Sequence, residues 1–256
     1  MNANRSARGI SPERWPIVAF RIALFLIWLS LALAAYFALR PFTRPNPVPS
    51  RFLGGTARIA GARVKTTGTL PAGPAFFIAN HVSWIDILAI AGATGSAFVA
   101  HDGLAAFGPL RWLCRMNDTV FVSRHDRRGV SGQIDDVRAA LADTGALTLF
   151  PEGTTGPGEP LLPFKSSLVS ALTPLPEGVS VVPLWIDYGT ERADIAWVGE
   201  EPGLANVLRI LARRRRLDVT LHVLPPIAPE ALATRKSITI AARQAIEAAQ
   251  SASERP

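Results

Sequence analysis

From Ile22 to Leu39 the chain runs IALFLIWLSLALAAYFAL, 18 residues without a charge and with Ser30 as the clear polar interruption. As a helix rising ~1.5 Å per residue, this stretch reaches ~27 Å, slightly less than the ~30 Å hydrocarbon core of a bilayer. It is apolar all round, so it has no polar face to turn toward water, and Trp15 and Trp28 suit an interfacial or lipid-facing setting. The expected role is a membrane anchor, spanning or deeply inserted. Two other readings stay open: a cleavable signal peptide, since basic residues precede the run and Ala32-Leu33-Ala34 offers a cleavage site, and a helix of a buried core. Arg5, Arg8, Arg14 and Arg21 lie on one side, and Arg40, Arg44 and Arg51 on the other, so charge asymmetry sets no orientation.

The following RPFTRPNPVPSRF carries four prolines and is expected to be a linker. The resulting division is an anchoring segment at 1–40, a Pro-rich linker at 41–59, a folded domain at 60–228, and a C-terminal helix and tail at 229–256. With 256 residues, 48% of them hydrophobic and 18% charged, the chain is too apolar for disorder and long enough for a substantial core. A net charge of +7 favours anionic partners. Two tyrosines, and no basic stretch interleaved with aromatics, argue against a nucleic-acid groove. The single cysteine, Cys114, excludes an internal disulfide and a cysteine-cluster metal site, and in LRWLCRM it is expected to be buried packing.

Apolar β-type runs at 75–79 (AFFIA), 119–122 (TVFV), 146–150 (ALTLF) and 179–186 (VSVVPLWI) alternate with helical patterns. The helical stretches are WIDILAIAGA, LAAFGPLRWLCRM and VSGQIDDVRAALADTG, the last stopped by Gly145. This alternation predicts an α/β layered sheet with helices on both faces, preceded by the hydrophobic helix. A further strand pair is expected at DIAWVG and LDVTLHVL, and a C-terminal helix within 229–250. Ligands of such sheets bind at the carboxyl ends of strands. Two unusual stretches fall there: NHVSWID after AFFIA, and PEGTTGPGE after ALTLF.

His81 and Asp86 are five residues apart. On one continuous helix they would diverge by ~140°, so they meet only if His81 lies in a turn and Asp86 in the first turn of the next helix. Asn80 and Ser83 suit such an entry. A carboxylate there fixes the imidazole tautomer and leaves the other nitrogen to take a proton from a bound hydroxyl. Taken by itself, the spacing also fits a capped turn with an incidental histidine. In the second stretch, Gly153 and Gly156 allow close backbone approach, and Glu152 and Thr154 are candidates to fix a polar head group. An ordinary Gly-Pro turn is the alternative. The sequence has no G-x-S-x-G, no G-x-x-x-x-G-K-[ST] and no H-E-x-x-H, which weakens serine hydrolase, nucleotide-binding and zinc protease readings.

In order, NHVSWID, VFVSR, FPEGTTG and VVPLW resemble the four blocks of the glycerophospholipid acyltransferases, over roughly residues 60 to 225. The resemblance implies a glycerol-3-phosphate acyltransferase-like fold and O-acylation of a lysolipid by acyl-CoA or acyl-carrier protein, without metal or organic cofactor. It implies His81 as general base and Asp86 as its orienting partner. By the same resemblance Arg124 contacts an acceptor phosphate, Glu152, Gly153 and Thr154 shape the acceptor site, Lys165 fills the basic position after the third block, and Pro183 belongs to the fourth. The implied acceptor is 1-acyl-sn-glycerol-3-phosphate, and the implied location is a membrane, with the catalytic domain on the cytosolic side and no nucleic-acid partner. One position departs: Thr155 stands where the family commonly has an arginine, and threonine cannot replace a bidentate anion clamp. The stretch FPEGTTGPGEPLLPFKSSL resembles instead the subgroup that acylates lyso-ornithine lipid, which is the alternative acceptor.

Several other residues are expected to stay outside the chemistry. His101 is expected to enter a helix, although the resemblance puts this segment at the substrate entrance. His125 is expected in an exposed loop and His222 as a structural strand residue. ARRRR (212–216) fits either contact with anionic lipid or a solvated helix end. A non-catalytic lipid-binding module and a lysolipid hydrolase remain the competing functions. The first predicts a defective His81/Asp86 pair, and the second uses the same base on water.

Overall fold

A computed structural model describes residues 10–101, 108–122, 130–172 and 174–253. Seven strands form one sheet: β1 (Ala62–Thr67), β2 (Ala75–Ala79), β3 (Ala97–His101), β4 (Val120–Val122), β5 (Ala146–Leu149), β6 (Ser180–Asp187) and β7 (Leu217–Val223). Their order is β1-β7-β6-β2-β5-β3-β4. Every neighbouring pair is parallel except β6 and β7. The central β2 is buried along its whole length, as expected of a strand covered on both faces.

Alternate β2 side chains serve two cores. Phe77 and Ala79 join Ile85, Leu88 and Ile90 of α3 (Ile85–Thr94), while Phe76 and Ile78 join Val137 and Leu141 of α5 (Val130–Thr144). The remaining helices are α1 (Trp15–Leu39), α2 (Val48–Ile59), α4 (Gly108–Met116), a short α6 (Arg192–Ile195), α7 (Gly203–Leu211) and α8 (Arg235–Ser253). The expected layered α/β sheet with helices on both faces is present.

The N-terminal region differs from its expectation. Where a Pro-rich linker is expected over 41–59, the chain forms the 12-residue helix α2. Its prolines sit in and before the first turn, where their missing N–H costs nothing. Its two glycines are close-approach positions: a Cβ on Gly54 would lie 3.0 Å from the Gly92 Cα of α3, and one on Gly55 would lie 2.6 Å from Trp28 Nε1 of α1. Trp28 Nε1 donates to the Phe52 carbonyl at 3.0 Å, and Arg21 Nη1 to the Leu211 carbonyl at 2.8 Å. In α1 the described buried residues are Val18 and Ala32, so this helix is not part of a buried core. By length and composition Pro12–Leu39 could cross a membrane.

Two smaller expectations also change. DIAWVG is not a strand, because Asp194 and Ile195 end α6 and an irregular segment follows. His101 closes β3 instead of entering a helix.

Candidate active site

The chain leaves β2 at Asn80, whose side chain extends the sheet ladder. Its Nδ2 donates to the Ile186 carbonyl at 3.1 Å, and its Oδ1 accepts from the Ile186 N–H at 2.7 Å. The turn after β2 is thereby fixed to β6 before α3 begins. His81 lies in this turn and Asp86 in the first turn of α3. His81 Nδ1 donates to Asp86 Oδ2 at 2.8 Å. The same oxygen accepts from the Val82 and Ser83 backbone N–H groups at 2.6 and 2.9 Å, and Oδ1 accepts from the Tyr188 hydroxyl.

Asp86 is fully buried, yet four donors surround its carboxylate, as a buried carboxylate requires. Burial and the adjacent carboxylate push the Tyr188 phenol well above its ordinary range, keeping it a donor. With Asp86 holding Nδ1–H, the lone pair is on Nε2, at the opposite edge of the ring. The imidazole stacks on Phe150 at 4.0 Å, and its side chain stays 15% exposed.

The turn after β5 is joined to the same residue. Gly156 N–H donates to the His81 carbonyl at 2.7 Å, and Glu152 Oε1 accepts from the His81 N–H at 2.8 Å. Glu152 Oε2 accepts from the Leu162 N–H at 3.1 Å. Glu152 is 1% exposed with both oxygens engaged, so it braces the turn and does not offer itself to a head group as the sequence suggested. Burial pushes its carboxyl up to about 7, against the opposing pull of the two amide hydrogen bonds.

Gly153 has φ +69°, a conformation that favours glycine, and Thr154 beside it is exposed. The Thr155 hydroxyl donates to the Trp197 carbonyl at 2.6 Å, and Trp197 N–H donates to the Val82 carbonyl at 2.9 Å. Lys165 is exposed, with its N–H bonded to the Pro151 carbonyl at 2.8 Å. Pro183 is buried in β6 opposite Ile78. His81, Asp86, Glu152 and Gly153 thus form one cluster. Arg124 and His125 lie outside the described residues.

Beside His81 opens a cavity of about 640 Å³. Its walls are almost wholly carbon: Phe25, Leu29 and Leu33 of α1, Phe52 of α2, Trp84 and Phe98, and Leu113 of α4. Cys114, expected as core packing, is half-buried and lines this cavity. His222, as expected, is a structural strand residue, stacked on Trp185 at 4.3 Å and 2.9 Å from Thr67 Oγ1 through Nδ1. Reading by motif missed Tyr188, Trp197 and the contribution of α1 and α2. Tyr188 just beyond β6 carried a weak signal, since a lone tyrosine at a strand end needs a partner when buried.

A family model described as Acyltransferase matches residues 61–187. The lyso-ornithine lipid O-acyltransferase of Pseudomonas aeruginosa is 32% identical over 237 residues, covering 88% of this chain and 90% of that protein. The 1-acyl-sn-glycerol-3-phosphate acyltransferase of Neisseria gonorrhoeae is also 32% identical, but over 117 residues, 44% of each chain. The crystal structure of the 1-acyl-sn-glycerophosphate acyltransferase of Thermotoga maritima superposes with a TM-score of 0.59 at 18% identity, covering 93% of this chain and 99% of that one. This last likeness bears on the fold alone.

Proposed function

Because the chain belongs to the acyltransferase family and is an enzyme of the lysolipid-acylating kind, we propose that it transfers a fatty acyl group from a thioester donor to the free hydroxyl of lyso-ornithine lipid, with His81 as general base. The observation that carries this reading is the imidazole itself, anchored through Nδ1 to a fully buried carboxylate beside an apolar cavity. Nε2 takes the hydroxyl proton as the acceptor oxygen attacks the thioester carbonyl. The imidazolium so formed is stabilised by Asp86. Collapse of the tetrahedral intermediate expels the thiolate, which recovers the proton from His81. The acyl chain occupies the cavity between α1, α2 and α4. Acyl-CoA or acyl-carrier protein supplies the thioester.

The acceptor reading is supported by Thr155, whose hydroxyl is committed to the Trp197 carbonyl where the family commonly presents a guanidinium. An acceptor without a phosphate monoester needs less positive charge at that point. The near-full-length relative named for lyso-ornithine lipid points the same way. We assign Glu152 and Gly153 to shaping the acceptor turn, Thr154 and Lys165 to its exposed rim, and Arg124 to contact with a polar head group. We also read α1 as a retained membrane anchor, with the catalytic domain on the cytosolic side, because it walls the cavity beside His81.

The test is acyl transfer by detergent-solubilised protein from labelled acyl-CoA and acyl-carrier protein, offered lyso-ornithine lipid and lysophosphatidic acid in parallel. Lyso-ornithine lipid is expected to be acylated at least about tenfold faster, and His81→Ala to lose ~10²–10⁴ of the rate. Preferred transfer to lysophosphatidic acid would assign the phosphate-bearing acceptor instead. Release of free fatty acid without an acceptor would make the protein a hydrolase.

A further inference from the structure

A second cavity, of about 860 Å³, lies apart from the one beside His81. It opens on another flank of α2, toward the N-terminal half of α1, between these helices, α3 and β1. Five arginines line it, Arg21, Arg58, Arg63, Arg214 and Arg216, and no acidic residue does. Arg21 is held by the Leu211 carbonyl. Among the described residues, the ion pairs of Arg63 and Arg214 are long and exposed, each 3.8 Å, with Asp218 and Glu13 respectively. For Arg58 and Arg216, both exposed, no partner occurs among the described residues.

Converging guanidinium groups repel one another unless an anion sits among them, and their forked donors match phosphate oxygens. Apolar residues also line the cavity, Phe20 and Leu24 of α1 among them, and Phe20 is 66% exposed. Beyond them, exposed Leu26, Ile27 and Leu31 continue along the same helix. An arginine-lined cavity therefore adjoins an apolar track at the point where the uncharged run begins. This is the shape of an amphiphile with an anionic head, and a concave site of this kind suits one lipid better than the flat face of a protein helix.

We propose that this arginine-lined cavity is a binding site for one anionic phospholipid, with the head group among Arg58, Arg214 and Arg216 and the acyl chains along Phe20 and Leu24. The site is separate from the acyl-transfer cavity, and its occupancy does not depend on turnover.

The experiment uses the full chain in dodecyl maltoside micelles, with bound lipids counted by native mass spectrometry and affinity measured by titration. The probes are dioctanoyl phosphatidylglycerol, dioctanoyl phosphatidylcholine, inorganic phosphate and coenzyme A. One phosphatidylglycerol per chain is expected, at least about tenfold tighter than phosphatidylcholine or free phosphate and weakened by salt. The charge-reversed pair Arg58→Glu with Arg216→Glu is expected to lose at least tenfold in affinity. Thr66→Trp, which fills the cavity from β1 without changing charge, is expected to do the same. Arg235→Glu with Lys236→Glu, exposed at the start of α8, changes the net charge equally and is expected to stay within twofold of the parent.

Equal loss in this last pair would reduce the effect to bulk electrostatics and overturn the proposal. So would equal binding of the two lipids, or unchanged lipid binding by both cavity variants. If the cavity variants instead lose coenzyme A, the arginines belong to donor binding and the lipid site is wrong. Transfer activity in detergent, retained by the cavity variants while they lose phosphatidylglycerol, excludes a donor role and keeps the lipid site distinct from the acyltransfer reading, which the parent's own activity tests.

Discussion

The turn around His81 and the packing of α2 against α1 and α3 border the same cavity, but they are held by different forces. At the turn, polar side chains are committed: Asp86 accepts four hydrogen bonds, Glu152 two, and Asn80 completes the ladder to β6. Around α2, position is set by absent atoms, with Gly54 against Gly92 of α3 and Gly55 against Trp28 of α1. Hydrogen bonds fix direction, which proton transfer needs to within fractions of an ångström. Close packing of small residues fixes distance and leaves an apolar surface, which is what an acyl chain needs. A substitution at the turn should therefore change rate before stability, and one at the helix crossing should change stability before rate.

The sharpest attempt to break this contrast is Asp86→Asn. An asparagine with its oxygen where Oδ2 lies still accepts from His81, Val82 and Ser83, and its amide can donate to the Tyr188 hydroxyl, which rotates to accept. The fold should persist, but the negative charge that stabilises the imidazolium is gone. The turnover rate is expected to fall by ~10² or more, with a small change in melting temperature. A loss below about tenfold would reduce Asp86 to a scaffold residue.

Gly92→Ala probes the other region. Its Cβ would lie 2.5 Å from the Gly54 Cα, a backbone atom that cannot rotate away. Overpacking of this kind costs ~1–3 kcal/mol, and it is expected to outweigh the ~1 kcal/mol that alanine gains as a helix former. Thermal unfolding should show a lower midpoint, while the rate per folded molecule at low temperature stays near the parent's. A raised midpoint would mean that the crossing is looser than its geometry implies.

This contrast also accounts for what could be read in the sequence. The buried strands 75–79 and 146–149 were legible because a continuous apolar run between turn signals has few other uses. The His81–Asp86 pair was legible because the i, i+5 spacing allows contact only across a strand-to-helix turn. The helix at 48–59 was not, because proline and glycine signal breaks locally, and their benefit lies in contacts with Gly92 and Trp28 that sequence order does not reveal. Glu152 was found, but as a head-group ligand, since nothing local shows that its oxygens serve the amides of His81 and Leu162. Tyr188 was missed because it is 102 positions from its partner.

Glu152 joins the two halves of the comparison, because it is a polar group enclosed by burial. In the unfolded chain its carboxyl releases its proton near the ordinary value of 4.5, and in the fold burial delays release to about 7. Between those values the native state binds more protons than the unfolded state, so stability falls as pH rises through the window. The slope from this group is at most about 1.4 kcal/mol per pH unit. Below pH 4.5 both states are protonated, above about 7 both are ionised, and the dependence ends. Glu152→Gln has no proton to release and should lack this descent. It also leaves one backbone N–H facing an amide NH₂, which costs ~1–3 kcal/mol where the parent is protonated. Urea unfolding of both proteins at pH 5 and pH 7.5 should therefore show a larger parent advantage at the lower pH, shrinking or reversing at the higher. Equal differences at the two values would mean that Glu152 is ionised throughout, held by its two amide donors and not raised by burial.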